Sequence, residues 1–76
     1  MIYDLLNPYK KKYEIIIVDY PAEFSIEVRY GNNILYKRGK GGLCSSGKIR
    51  TMNVITAEAI AKIKKHNQLL LTTKNN

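Results

Sequence analysis

The stretch Phe24-Ser25-Ile26-Glu27-Val28-Arg29-Tyr30-Gly31-Asn32-Asn33-Ile34-Leu35-Tyr36-Lys37-Arg38 decides the fold. From Phe24 to Tyr30 it alternates strictly, with Phe24, Ile26, Val28 and Tyr30 on one face and Ser25, Glu27 and Arg29 on the other. Successive side chains leave a pleated backbone on opposite sides, so this is the pattern of a half-buried antiparallel strand. Gly31-Asn32-Asn33 tolerates positive φ, which predicts a tight hairpin and a return strand over Ile34–Arg38. Tyr30 and Tyr36 are then placed to approach each other across the pair.

On the N-terminal side, Pro21 interrupts the chain, and before it Tyr13–Tyr20 is a β-branched run of strand length. Its continuous apolarity predicts a central strand covered on both faces. Three strands then form a meander. Asn7-Pro8 breaks whatever Met1–Leu6 forms, a helical turn or an extended arm, so residues 1–12 are a candidate flexible arm. Within it, Lys10, Lys11 and Lys12 lie between Tyr9 and Tyr13, a pattern that suits single-stranded nucleic acid: bases stack on tyrosine while lysine neutralises phosphate.

On the C-terminal side, residues 37–50 hold five cations (Lys37, Arg38, Lys40, Lys48 and Arg50), four glycines and no acid. This predicts a Gly/Lys loop over 39–48 whose amides and cations favour an anionic ligand. Gly42 to Lys48 has the G-x-x-x-x-G-K spacing of a phosphate-binding loop. However, Ile49 stands where Ser or Thr is needed for magnesium, and the residues that follow read as a strand rather than a helix. A domain of 76 residues also lacks room for the βα units of a nucleotide hydrolase. Partial alternation over Lys48–Ile55 predicts a fourth strand. Thr56 then reads as the N-cap of an amphipathic helix over Ala57–His66, with Asn67 at its C-terminus and Lys62, Lys64 and Lys65 complementing the macrodipole. Leu69, Leu70 and Leu71 predict an edge strand within Gln68–Thr73, and residues 74–76 a frayed tail. The expected fold is α+β: one domain, 1–76, with a small antiparallel sheet of three to five strands and one amphipathic helix packed on one face.

Charge is uneven. Residues 1–27 hold three Lys against five Asp and Glu, whereas residues 28–76 hold ten Lys and Arg against Glu58 alone. Such asymmetry predicts one basic surface and a polyanionic partner, and ten lysines to three arginines favour diffuse phosphate contact over base reading. The single cysteine, Cys44, excludes an internal disulfide and suits a reducing compartment such as the cytoplasm. It is expected to be small and partly buried. With only His66 available as a base, and no carboxylate pair or His/Cys cluster, neither catalysis, a metal nor a cofactor is expected. No apolar run approaches the roughly 18 residues of a membrane span, and no secretion signal is read at the N-terminus.

Two function classes remain. One is a nucleic-acid-binding module contacting phosphates through Lys37, Arg38, Lys40, Lys48 and Arg50, with Lys10, Lys11, Lys12, Lys62, Lys64 and Lys65 in support. The other is a stoichiometric inhibitor of an acidic, nucleic-acid-handling host protein or ribonucleoprotein, of the kind phages and mobile elements use against host defences such as CRISPR. Its anchors would be Tyr3, Tyr9 and Tyr36. Lys, Asn, Ile and Tyr make up 33 of the 76 residues, which fits A/T-rich coding and such a source. An exposed edge strand in so small a domain also leaves room for a homodimer.

Overall fold

A computed structural model describes residues 2–74, and the side chains of residues 4–72. Helix α1 (Ile2–Leu6) runs into a short 3-10 turn (Asn7–Tyr9), followed by strands β1 (Glu14–Tyr20), β2 (Glu23–Tyr30) and β3 (Asn33–Lys40) and a long helix α2 (Ser45–Lys74). The sheet is an antiparallel meander in the order β1-β2-β3 with α2 packed on one face, so the expected α+β architecture is present, with three strands.

Strand β2 is the spine of the molecule. The alternation read from its sequence is the alternation seen in space: Phe24, Ile26 and Val28 are fully buried and face α2, which meets them with Ile55, Ala59 and Ile63. Each of the Phe, Ile and Val side chains removed from water stabilises the fold by about 1.5–3 kcal/mol. Gly31 adopts φ 61 in the β2–β3 turn, where a side chain would be strained. The register pairs Val28 with Tyr36 and Arg29 with Ile34, so Leu35 bulges from β3.

Three sequence expectations are corrected. First, β1 is an edge strand, not the central one, because each strand of the meander pairs with its chain neighbours and the first has only β2. Second, the fourth strand expected over Lys48–Ile55 is helical, and α2 starts at Ser45, eleven residues before the expected cap at Thr56. Partial alternation over eight residues fits a strand locally. Met52, Ile55, Thr56, Ala59 and Ile63, however, form one i, i+3, i+4 stripe that lands on β2 and β3, and that burial outweighs the weak helix propensity of Ile49, Thr51 and Val54. Thr56 lies inside the helix, 2% exposed, and its hydroxyl has no partner among the described residues. Third, the leucines at 69–71 continue the helix rather than returning as a strand. At about 1.5 Å per residue a 30-residue helix is about 45 Å long, matching the 48 Å long axis of the molecule. An eight-residue strand spans only about 27 Å, so the helix overruns the sheet and leaves Leu69 and Leu71 exposed.

The N-terminal residues read as a candidate arm carry structure. Leu6 is fully buried, Lys12 Nζ donates to Asn67 Oδ1 (3.1 Å), and Tyr13 Oη donates to Asn67 Oδ1 and meets His66 Nδ1, each at 2.9 Å. A phenol has one proton to give, so with Asn67 as its acceptor His66 Nδ1 is the donor in the second bond. Tyr13, Tyr30 and His66 stack as a trio with ring centroids 4.7–5.6 Å apart. Burial, then the neighbouring Tyr30, raises the Tyr13 phenol above its ordinary pKa. Lys74 closes α2, and residues 75 and 76 of the expected tail lie outside the described residues. Among the described residues no helix is long and apolar enough to cross a membrane.

Candidate functional site

The connection after β3 is shorter than the Gly/Lys loop expected over 39–48. Gly39 and Lys40 finish β3 and Ser45–Lys48 open α2, so only residues 41–44 are irregular, with Gly42 at φ 66. Leu43 N donates to Ala22 O (2.9 Å), tying the loop to the β1–β2 hairpin. Lys48, at the phosphate-loop lysine position, turns inward. Its Nζ is 2.5 Å from Asp19 Oδ1 and donates to Tyr20 O (2.6 Å), so it clamps the end of β1. A helix does follow the glycines, contrary to the sequence reading, but with Ile49 in place of Ser or Thr and Lys48 committed elsewhere the segment lacks the parts of a nucleotide-hydrolysing loop.

The period of the strand divides the neighbouring cations. Lys37 points to the open face of the sheet, with Nζ 3.7 Å from Glu27 Oε1, and Glu27 also pairs with Arg29. Arg38 and Lys40 point to the face that α2 covers. There they meet Arg50 across a groove of about 300 Å³ lined also by Gly39, Thr51, Val54 and Ile55. Strand β3 therefore supplies two cations and the second turn of α2 a third. Lys40 and Arg50 have no carboxylate partner among the described residues, whereas Arg38 Nη1 reaches both oxygens of Glu58 at 2.7 Å. Tyr36 Oη donates to Glu58 Oε1 at 2.8 Å. The Arg38 bond first, and the Tyr36 bond second, hold the Glu58 carboxyl below its usual range. The Tyr36 phenol is pushed up to about 12, by burial first and by Glu58 second.

The remaining candidates are dispersed. Lys62 follows Arg50, Val54 and Glu58 at steps of four along one flank of α2, which puts Lys62 and Arg50 about 18 Å apart along the axis. Lys64 lines a different groove, about 470 Å³ and largely apolar, with Leu5, Asn53, Thr56, Ala57, Ile60 and Ala61. Lys65 is exposed on α2, and Lys10–Lys12 lie near its C-terminal half through the Lys12–Asn67 bond. Of the three tyrosines read as anchors, Tyr9 packs on the core and Tyr36 is half-buried on Glu58, while the Tyr3 side chain lies outside the described residues. Sequence reasoning passed over Tyr20, which is 60% exposed at the end of β1. It also gave Glu58 no pairing role, although the one acid in a segment of ten cations is a signal of pairing.

Cys44 is exposed, not partly buried. It directly precedes α2, and the Ser46 hydroxyl and then the Gly47 amide draw its thiol pKa below the ordinary value. His66 lies about six turns further along the helix, and among the described residues no group of three His, Cys, Asp or Glu is placed to hold a metal. No family model, curated protein or solved structure matches this chain. The functional reading therefore rests on the residues themselves.

Proposed function

We propose that this chain is a small basic, non-enzymatic binding protein that contacts nucleic-acid phosphates along the flank shared by β3 and α2. The observation that carries the reading is the convergence of Arg38, Lys40 and Arg50 on one groove, two of them without a carboxylate partner among the described residues. Lys62 extends the flank, and Lys10–Lys12, Lys64 and Lys65 add attraction at longer range. Lys37, on the opposite face, and Lys48, engaged with Asp19, stand outside the primary contact. Glu58 makes Arg38 conditional: a phosphate that takes Arg38 must compete with a carboxylate already bonded to it. Contacts of this kind follow charge and shape, so sequence preference is small. An exposed thiol without a second cysteine fits a reducing compartment such as the cytoplasm.

The test is fluorescence anisotropy with labelled single-stranded DNA, duplex DNA and RNA at about 50 and 200 mM salt, the range over which counterion release is read. The reading expects tight binding to one of these forms, weakened by salt and by Lys40→Glu with Arg50→Glu. A second reading, a stoichiometric inhibitor docking on an acidic host protein, draws on the exposed Tyr20 at the end of β1 on the open sheet face, an aromatic anchor of the sort interfaces use. Weak, salt-indifferent binding to all three nucleic acids would move the preference to that protein target.

A further inference from the structure

Strand β1 has the sequence of an interior strand in an edge position. Ile15, Ile16, Ile17 and Val18 put β-branched side chains on both faces, yet β1 has one neighbour, β2. Among the described residues no other backbone–backbone bond reaches Glu14–Tyr20. Ile15 and Ile17 are half-buried on the helix side, and Ile16 and Tyr20 are 38% and 60% exposed on the other. Edge strands in folded proteins are normally guarded by lysines, prolines or bulges. The opposite edge, β3, has both a bulge and the cations Lys37, Arg38 and Lys40. Between Glu14 and Asp19, β1 has none of these.

We propose that β1 pairs antiparallel with β1 of a second copy, giving a six-stranded sheet with both α2 helices on one face. Two features favour a second copy as the occupant. The first is self-complementarity. Pairing about Ile16 sets that residue opposite its own copy and Ile15 opposite Ile17 of the second chain, so isoleucine meets isoleucine at three successive positions and on both faces. The second is charge. The molecule is strongly basic, but the two groove cations without a carboxylate partner among the described residues, Lys40 and Arg50, lie on the β3 flank, and the residues bounding the β1 run are Glu14 and Asp19. In the pair the two β3 strands stand five strand spacings apart, about 24 Å, well beyond a screening length of about 8 Å at physiological salt. Their mutual repulsion is therefore largely screened. This inference is independent of what the groove binds.

Sedimentation equilibrium of the full chain across micromolar to millimolar concentration is the primary test. A reversible dimer is expected, with Ile16→Lys weakening it by about tenfold or more, since it sets like charges opposite each other, and Ile34→Lys, an exposed change on β3, leaving it intact. Cross-linking provides a second readout that does not depend on how well the lysine variant folds. In a Cys44→Ser background, Ile16→Cys forms an intermolecular disulfide under mild oxidation and Ile34→Cys does not. A chain that stays monomeric throughout, a dimer indifferent to Ile16→Lys, or cross-linking that favours Ile34→Cys overturns the proposal.

Discussion

The two edges of this sheet share a spine and differ in almost everything else. β3 carries Lys37, Arg38 and Lys40, is broken by a bulge at Leu35, and is partly covered by α2, which returns beside it. β1 has four β-branched residues in a row, no bulge and little contact with α2. In a protein too small for surplus core, a sheet edge is a large share of the surface, and its side chains set what can approach. The cationic edge resists strand addition and, where α2 adds Arg50, concentrates positive charge; the apolar edge invites a strand. Polarity is thus laid out across the sheet, from β1 to β3.

The largest expected effect removes the contrast altogether. Phe24→Ala in the spine strand loses about 3–5 kcal/mol, enough to unfold much of a small domain and both edges with it, read as a collapse of the denaturation midpoint. Next is Gly39→Ala. A Cβ there would come within 2.8 Å of Ser25 Cβ, an atom held by backbone, so β3 must shift at a cost of about 1–3 kcal/mol. The same denaturation experiment checks it, and the β1 edge is not expected to move. Smaller still is the double reversal Lys40→Glu with Arg50→Glu, expected to weaken nucleic-acid binding about tenfold at low salt, whereas Lys37→Glu on the open face has little effect. Equal losses from the two would mean that overall charge, not the groove, governs binding.

How much of this contrast was legible in the sequence depends on the range of the signal. Phe24–Tyr30 and the Gly31 turn are local patterns, and both are present in space as read. Whether β1 is central or at an edge is not local, because the composition of a strand does not name its neighbours. Its interior-like sequence misled on position, and that mismatch is what points to a second chain. Residues 45–56 fit two periods, and the apolar surface of β2 and β3 chose between them. For the groove, the period of two already separates Lys37 from Arg38, but pairing either with Arg50 requires α2 to begin early and return along β3. Cys44 reads as a small apolar residue until the helix start is known.

The finest prediction sharpens the β3 side through pH. The Tyr36 proton is held to about 12, so ultraviolet titration should show this phenol ionising last, and Tyr36→Phe should remove that step. A phenol whose folded pKa is raised favours the folded state below its unfolded value near 10, and that contribution disappears as pH rises toward 12. Glu58 has the opposite sign: its contribution is present above the ordinary carboxylate pKa and is lost as pH falls through the depressed one. Acidification should therefore free Arg38 for a phosphate, and Glu58→Gln should raise nucleic-acid affinity at neutral pH in the anisotropy assay.

The most direct test is a backbone-amide NMR titration of the labelled protein with a short single-stranded oligonucleotide, repeated as a dilution series without it. Oligonucleotide is predicted to shift the amides of Arg38–Lys40 and Arg50–Val54 and leave Ile15–Val18 in place, while dilution alone shifts Ile15–Val18. Shifts centred on Lys10–Lys12, or spread over both edges by either treatment, would contradict the division of labour between β3 and β1.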